Sequence, residues 1–309
     1  MSRRSFAFAT LACLTSMLSA CPPPFASPAL VDYPRVLAII AKEPTVAPGS
    51  LVSLSPIVGG NTTDGTYRWR ICVRPEVAST GLPLSSFGAF EPERGCDTEG
   101  ALELTAAQSG REVQFAIPSD LFSNEQVLRT AFGAGLRFET ARTLAQRAGI
   151  SVVASVEWTV DGTIATAFKR VLVRDGEINR NPPPPVVRVK NRELRAGPLR
   201  ADEACEFTDT SGPLRVTQGE RVLFQPDTDT SWLEEFTFVD ASDNVVTVSE
   251  GAFRNWYATA GSWDFGRARA PDTNPTWIAP KRAGDVTMWL VLRDGHGGAS
   301  VCRWSARVE

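Results

Sequence analysis

The chain contains a single histidine, His296, so any catalysis that needs an imidazole has to be built on it. It lies in Asp294-Gly295-His296-Gly297-Gly298, between two alternating apolar runs. Glycine-rich segments placed this way form hairpin turns, and a solvated turn is a poor platform for a base that must hold a nucleophile in reach. The sequence has no Gly-x-Ser-x-Gly elbow, His-Glu-x-x-His helix, phosphate loop or dinucleotide fingerprint. His296 is therefore expected to be an exposed turn residue, and no residue is assigned a catalytic role.

Carboxylates are the next candidates. Asp227, Asp229, Asp240 and Asp243, with Glu234 and Glu235 between them, offer the hard oxygens that Ca²⁺ takes. Their spacing matches no twelve-residue calcium loop, and Asp is favoured in turns for its own hydrogen bonds. They read as turn residues, and neither metal nor cofactor is expected. A paired-acid hydrolase would need one carboxyl buried and one exposed, and nothing in the sequence marks such a pair.

Aromatic residues suggest binding more than catalysis. Six of the eight tryptophans follow residue 230, and the segment Phe253–Phe265 mixes Trp256, Tyr257 and Trp263 with Asn, Arg, Ser and Asp. Flat rings beside hydrogen-bonding groups suit a sugar face or a protein anchor, so these three are the candidate ligand-binding residues. The alternative is that they pack a long crossover against the core. Arg188, Lys190, Arg192, Arg195 and Arg200 could meet anionic headgroups or polysaccharide, or line a solvated strand face.

The N-terminus gives an address. Arg3 and Arg4 precede an apolar run from Phe6 to about Met17, followed by Leu18-Ser19-Ala20-Cys21. This resembles the bacterial lipoprotein signal, which implies cleavage of residues 1–20 and acylation of Cys21. The run is shorter than the ~20 residues a bilayer requires, and Pro22, Pro23 and Pro24 stop a helix there. Residues 21–34, with five prolines, read as an extended tether. Pro22 is not the Asp that usually retains such proteins at the inner membrane, so the outer membrane is expected.

Loss of Arg3 and Arg4 shifts the formal charge from -3 to -5. That mild acidity, without any Lys/Arg run, argues against a nucleic-acid partner. Besides Cys13 and Cys21, four cysteines remain: Cys72, Cys96, Cys205 and Cys302. In an oxidising compartment they imply two disulfides, of three connectivities. Cys72–Cys96 and Cys205–Cys302 are favoured because each pair stays within one expected domain. A four-thiolate zinc site would want a CxxC pair, and none exists.

The elements that must position these groups follow from period-two alternation. Val46-Ala-Pro-Gly-Ser-Leu-Val-Ser-Leu and Val216-Thr-Gln-Gly-Glu-Arg-Val-Leu-Phe share one shape, a Gly turn opening a strand. Each copy ends in a hairpin, around Asp161-Gly162 and around Asp294–Gly298. Between the copies, Asn179-Arg180-Asn181 and Pro182 to Pro185 read as a stiff linker over 179–186. Tyr67, Trp69, Ile71 and Val73 should face a core, with Cys72 outside. Cys302, Trp304, Ala306 and Val308 should face inward. Within about 119–149 the period changes: Ser123 with Gln126 reads as a capping box, and Leu136, Ala141, Leu144, Ala145 and Ala148 fit one helical face stopped by Gly149.

The expected fold is mostly β: two immunoglobulin-like β-sandwich domains in tandem, 35–178 and 187–309, the first carrying a short helical insertion. The insertion is expected to cover one end of its sandwich. Pro34-Arg-Val-Leu-Ala-Ile-Ile, Val46-Ala-Pro-Gly-Ser, Tyr67-Arg-Trp-Arg-Ile-Cys-Val and Trp277-Ile-Ala-Pro through Leu292-Arg-Asp-Gly-His-Gly-Gly resemble the immunoglobulin-like domains of exported bacterial proteins, in particular myxobacterial-type tandem-domain outer-membrane lipoproteins. The resemblance implies a sandwich in the cell envelope and no activity. The function expected is a non-enzymatic structural or binding role at a membrane, toward a protein or glycan partner. An envelope-polymer hydrolase and an accessory subunit of a secretion or motility complex are the alternatives.

Overall fold

The computed structural model describes residues 28–60, 65–75, 95–97, 99–176, 179–196, 205–209, 212–239, 245–269 and 274–309. Cys21, Arg200, Asp240 and Asp243 lie outside these residues. Among the described residues no helix is long and apolar enough to cross a membrane.

The protein is mostly β, built from two pairs of facing sheets. In the first pair, strands Arg35–Ala41, Leu51–Gly59 and Val113–Ala116 face a sheet whose centre is Thr66–Val73, Ile150–Val160 and Thr163–Val173. In the second, a sheet centred on Val187–Val189 and Arg221–Pro226 faces one centred on Phe253–Ala258, Gly284–Arg293 and Ala299–Val308. Each pair encloses its own apolar cluster, one around Trp69 and Trp158, the other around Phe224, Trp256, Trp277 and Trp304.

The repeated Val-x-x-Gly motif has the same structural meaning in both halves. Val46 pairs in parallel with Val173, and Val216 pairs in parallel with Val308, so each lies beside its half's last strand. The chain then leaves for the facing sheet through Gly49 (φ 81°) or Gly219 (φ 72°), a backbone conformation that residues with a Cβ rarely adopt. One motif thus sends the chain across the sandwich twice.

Alternation placed Tyr67, Trp69, Ile71 and Val73 correctly, all buried in the first core. Cys72 faces away from that core, on the outer side as expected, and is fully buried there. The segment carrying Cys96 folds over that outer face: Cys72 and Cys96 are bonded, Cys96 N–H donates to Ser155 Oγ at 2.7 Å, and Val153 packs beneath. The second disulfide joins Cys205 to Cys302 inside the second core.

Helices Glu125–Phe132 and Phe138–Ala148 form the insertion, and Val127, Leu128, Ala131, Ala141 and Ala145 close one end of the first core. Asn124, not Ser123, caps the first helix: its side chain accepts from Gln126 N–H and Val127 N–H, while Ser123 Oγ donates to Asp120 O. Leu136 precedes the second helix and is exposed rather than on its buried face. Gly149 ends that helix as expected.

Two stretches expected to stand free are packed. From Pro28 onward the supposed tether belongs to the body: Ala29 O and Val31 N–H bond to either side of Ala258, and Val31 is fully buried. The proline stretch also lies against the protein, with Asn179, Pro182 and Pro185 buried. Asn181 fastens it to both halves, donating to Ala41 O at 2.7 Å and accepting from Ala299 N–H at 3.0 Å. Prolines lack N–H donors, so flanking asparagines supply the bonds that a polyproline run cannot make.

Candidate functional site

A group of interacting polar side chains is buried where the two halves meet. Strands Gly284–Arg293 and Ala299–Val308 pair down to Arg293 and Ala299, and the loop between them closes on the Asp294 carboxylate. Asp294 Oδ1 accepts from His296 N–H at 2.7 Å and from Gly298 N–H at 2.9 Å. Asp294 is 0% exposed. Gly298 is required because a Cβ there would lie 1.9 Å from Asp294 Oδ2 and 2.8 Å from Arg180 O.

Side chains from both halves converge on this loop. The Lys169 ammonium, from the last strand of the first half, donates to Gly297 O. Asn179 Nδ2 donates to His296 O at 3.0 Å. The His296 ring stacks on Phe236, centroids 3.7 Å apart and 9° from parallel, and Nδ1 lies 3.4 Å from Glu250 Oε1. Glu250 in turn accepts from Glu234 N–H. Apolar packing continues the contact: Val31, Leu37, Ala38 and Ile57 of the first half meet Trp289, Val291 and Val301 of the second.

Burial sets the electrostatics. Desolvation pushes the Lys169 ammonium down to about 8, opposed by the Asp294 charge and aided by Arg293. Desolvation, then repulsion from Glu250, holds the Asp294 carboxyl above its usual range, partly offset by the His296 and Gly298 amides and by Lys169. A cavity of about 10 Å³ beside the ring is lined by Thr45, Asn179, Phe236 and His296, space for no more than one water. His296 is therefore not an exposed turn residue. Carboxylates and backbone amides surround it, and Thr45 lines the cavity beside its ring. Among the described residues no group of His, Cys, Asp and Glu is arranged to hold a metal ion.

The expected binding rings are elsewhere and mostly inside. Trp256 is 0% exposed and Trp263 8%; both pack on Phe224, centroids 5.6 and 5.1 Å away, and on each other at 5.0 Å. Their segment shows no clean period because it changes sheets: Phe253–Ala258 belongs to one, and Ser262–Trp263, after Gly261, to the facing one. The rings meet across the core and cannot offer faces to a glycan. Tyr257, on the opposite face of its strand, is half-buried at the junction.

The acidic and basic stretches also resolve into local structure. Asp227 Oδ1 accepts from Asp229 N–H and Asp229 Oδ1 from Ser231 N–H, successive turns closed by side chains. Arg188, Arg192, Arg195 and Lys190 pair with Glu193, Asp209, Glu193 and Glu220, so four cations of this strand face share three carboxylates.

Sequence reasoning missed Asp294, Lys169, Asn179 and Glu250. The available signal was excess glycine: a solvated hairpin needs Asp-Gly, as at Asp161-Gly162, whereas Asp294–Gly298 carries three glycines, of which Gly298 leaves no room for a Cβ.

No family model and no curated protein matches the chain. Solved structures with some likeness include a transglutaminase of red sea bream, at 8% identity and TM-score 0.23, where 88% of this chain covers 31% of that one. Latent PorU from Porphyromonas gingivalis gives 12% and 0.24, with 91% and 24% covered. SGBP-B of a Bacteroides ovatus mixed-linkage glucan utilization locus, solved with a heptasaccharide, gives 13% and 0.18, with 90% and 47% covered. The chain spans less than half the length of each of these three proteins.

Proposed function

We propose that this chain is a lipid-anchored protein of the cell envelope, held at the outer membrane through Cys21. In this reading it presents a surface of fixed shape to a protein or glycan partner and catalyses no reaction itself. The observation that carries the proposal is the junction. Independent modules joined by a linker move relative to one another unless a sizeable interface binds them. Here a buried cluster of Asp294, Lys169, Asn179, His296 and Glu250, flanked by seven apolar residues, fastens the halves. A passive spacer has no use for such fastening, whereas a surface assembled from two sandwiches depends on it. Two disulfides within the halves fit export to an oxidising compartment.

Lipid-preserving purification from the native envelope tests the reading. The expected result is a chain whose N-terminal peptide carries acyl mass on Cys21, with a co-purifying protein or polysaccharide. A chain that stays in the aqueous fraction after cell breakage, unchanged by Cys21→Ser, overturns the anchor. Turnover of an envelope polymer by the purified chain overturns the non-enzymatic role.

A further inference from the structure

The point where the chain leaves toward Cys21 is bordered by exposed rings and arginines. Ala29 sits against Gly266, where an added Cβ would lie 2.7 Å from the Ala29 methyl. Next to it Phe265 is 54% exposed, and Tyr33, on the same N-terminal segment, is 51% exposed. The Arg35 guanidinium donates to Pro28 O at 2.8 Å and lies 5.7 Å from the ring centres of both Tyr33 and Tyr257. Arg267 and Arg269 are exposed on the outermost strand of this sheet, Arg267 lying over the Phe253 ring.

Unlike the paired cations of the 187–196 face, Arg35, Arg267 and Arg269 have no carboxylate within ion-pair distance among the described residues. Three acids are close in sequence, one of which, Asp272, lies outside the described residues. Asp264 turns one oxygen inward to accept from Phe265 N–H and Thr276 N–H, and Asp32 is exposed. Among the described residues the patch sets three arginines against two carboxylates.

Six residues lie between Cys21 and Pro28, seven Cα–Cα steps, so the chain can place Pro28 at most about 25 Å from its acyl group. We propose that this face rests on the anionic headgroups of the leaflet that holds the Cys21 lipid, with Phe265 and Tyr33 entering the headgroup layer. The inference rests on acylation of Cys21. Aromatic rings favour the membrane–water interface, and each arginine near an anionic surface raises occupancy roughly fivefold. The outcome is a fixed orientation of both halves relative to the membrane.

The test uses the acylated mature chain in phosphatidylcholine vesicles with or without phosphatidylglycerol. Intact mass and flotation report the acyl group; hydrogen exchange of residues 262–269 reports the patch. Exchange there should slow at least fivefold on the anionic vesicles. Phe265→Ser with Arg267→Gln, or Arg267→Gln alone, should reduce that slowing while flotation and the protection of strand Gly284–Arg293 stay unchanged. A floated, acylated chain with equal exchange at 262–269 on both vesicles overturns the orientation alone. A chain lacking the acyl mass overturns the anchor, and the orientation with it.

Discussion

The two closing hairpins occupy the same place in the two halves and meet opposite fates. In the first, Ile150–Val160 and Thr163–Val173 pair to the end and turn through Asp161 (φ 48°) and Gly162 (φ 76°), both exposed. In the second, five residues wrap around the Asp294 carboxylate and are covered by Lys169, Asn179 and Phe236. The first tip solves only a local problem, reversing a right-twisted ribbon. The second solves that problem and also supplies the fastening between halves. A buried loop must satisfy its own backbone polar groups, and Asp294 does so for two of them.

Substitutions at matching positions should therefore diverge. The largest effect is expected at Gly298→Val, which drives a side chain into Asp294 Oδ2 and Arg180 O; urea unfolding should show a loss of about 3–5 kcal/mol. Gly162→Ala meets no atom within 4 Å and costs only its positive φ, about 1 kcal/mol. Comparable losses at the two glycines would break the comparison.

Asp294→Ala comes next. It removes the acceptor of two buried amides, and the expected loss is about 2–4 kcal/mol by denaturant titration. Asp161→Asn, at the exposed tip and in a conformation Asn tolerates, should stay within about 0.5 kcal/mol.

The pH dependence sharpens the contrast further. Lys169 titrates at about 8 in the folded protein and near 10.4 when unfolded, so the native state binds its proton less tightly. Its charge therefore costs stability in full below about pH 8, and the cost fades as pH rises toward about 10. Unfolding midpoints should show the parent gaining on Lys169→Met across that window. A constant difference between the two would mean the ammonium is solvated. The raised Asp294 carboxyl acts at the other end: its cost is present above its folded pKa and is relieved as pH falls toward the carboxylate range. In Asp294→Ala that relief should be missing from the acid limb.

The smallest effect concerns the basic strand face. Arg188→Gln removes an ion pair from an exposed guanidinium and should change stability by less than about 0.5 kcal/mol, checked by the same titration.

Much of the fold was legible in the residues because the signals are short-range. Period-two alternation put Tyr67, Trp69, Ile71 and Val73 in the core, and the Val-x-x-Gly repeat marked two equivalent crossings. The site was not legible in that way. Cys72 was legible as outward and bonded to Cys96, whereas its complete burial comes from the Cys96 segment folded over it. Trp256 and Trp263 could be read as binding or packing residues, because their segment straddles two sheets and shows no clean period.

By itself the order of residues determined which strands form and where the chain must turn, since alternation and positive-φ positions act between near neighbours. It also supplied the signal-like start and the cysteines. Only the tertiary structure decided that Asp294 and His296 are interior, because burial of a loop depends on what a strand more than a hundred residues away lays against it.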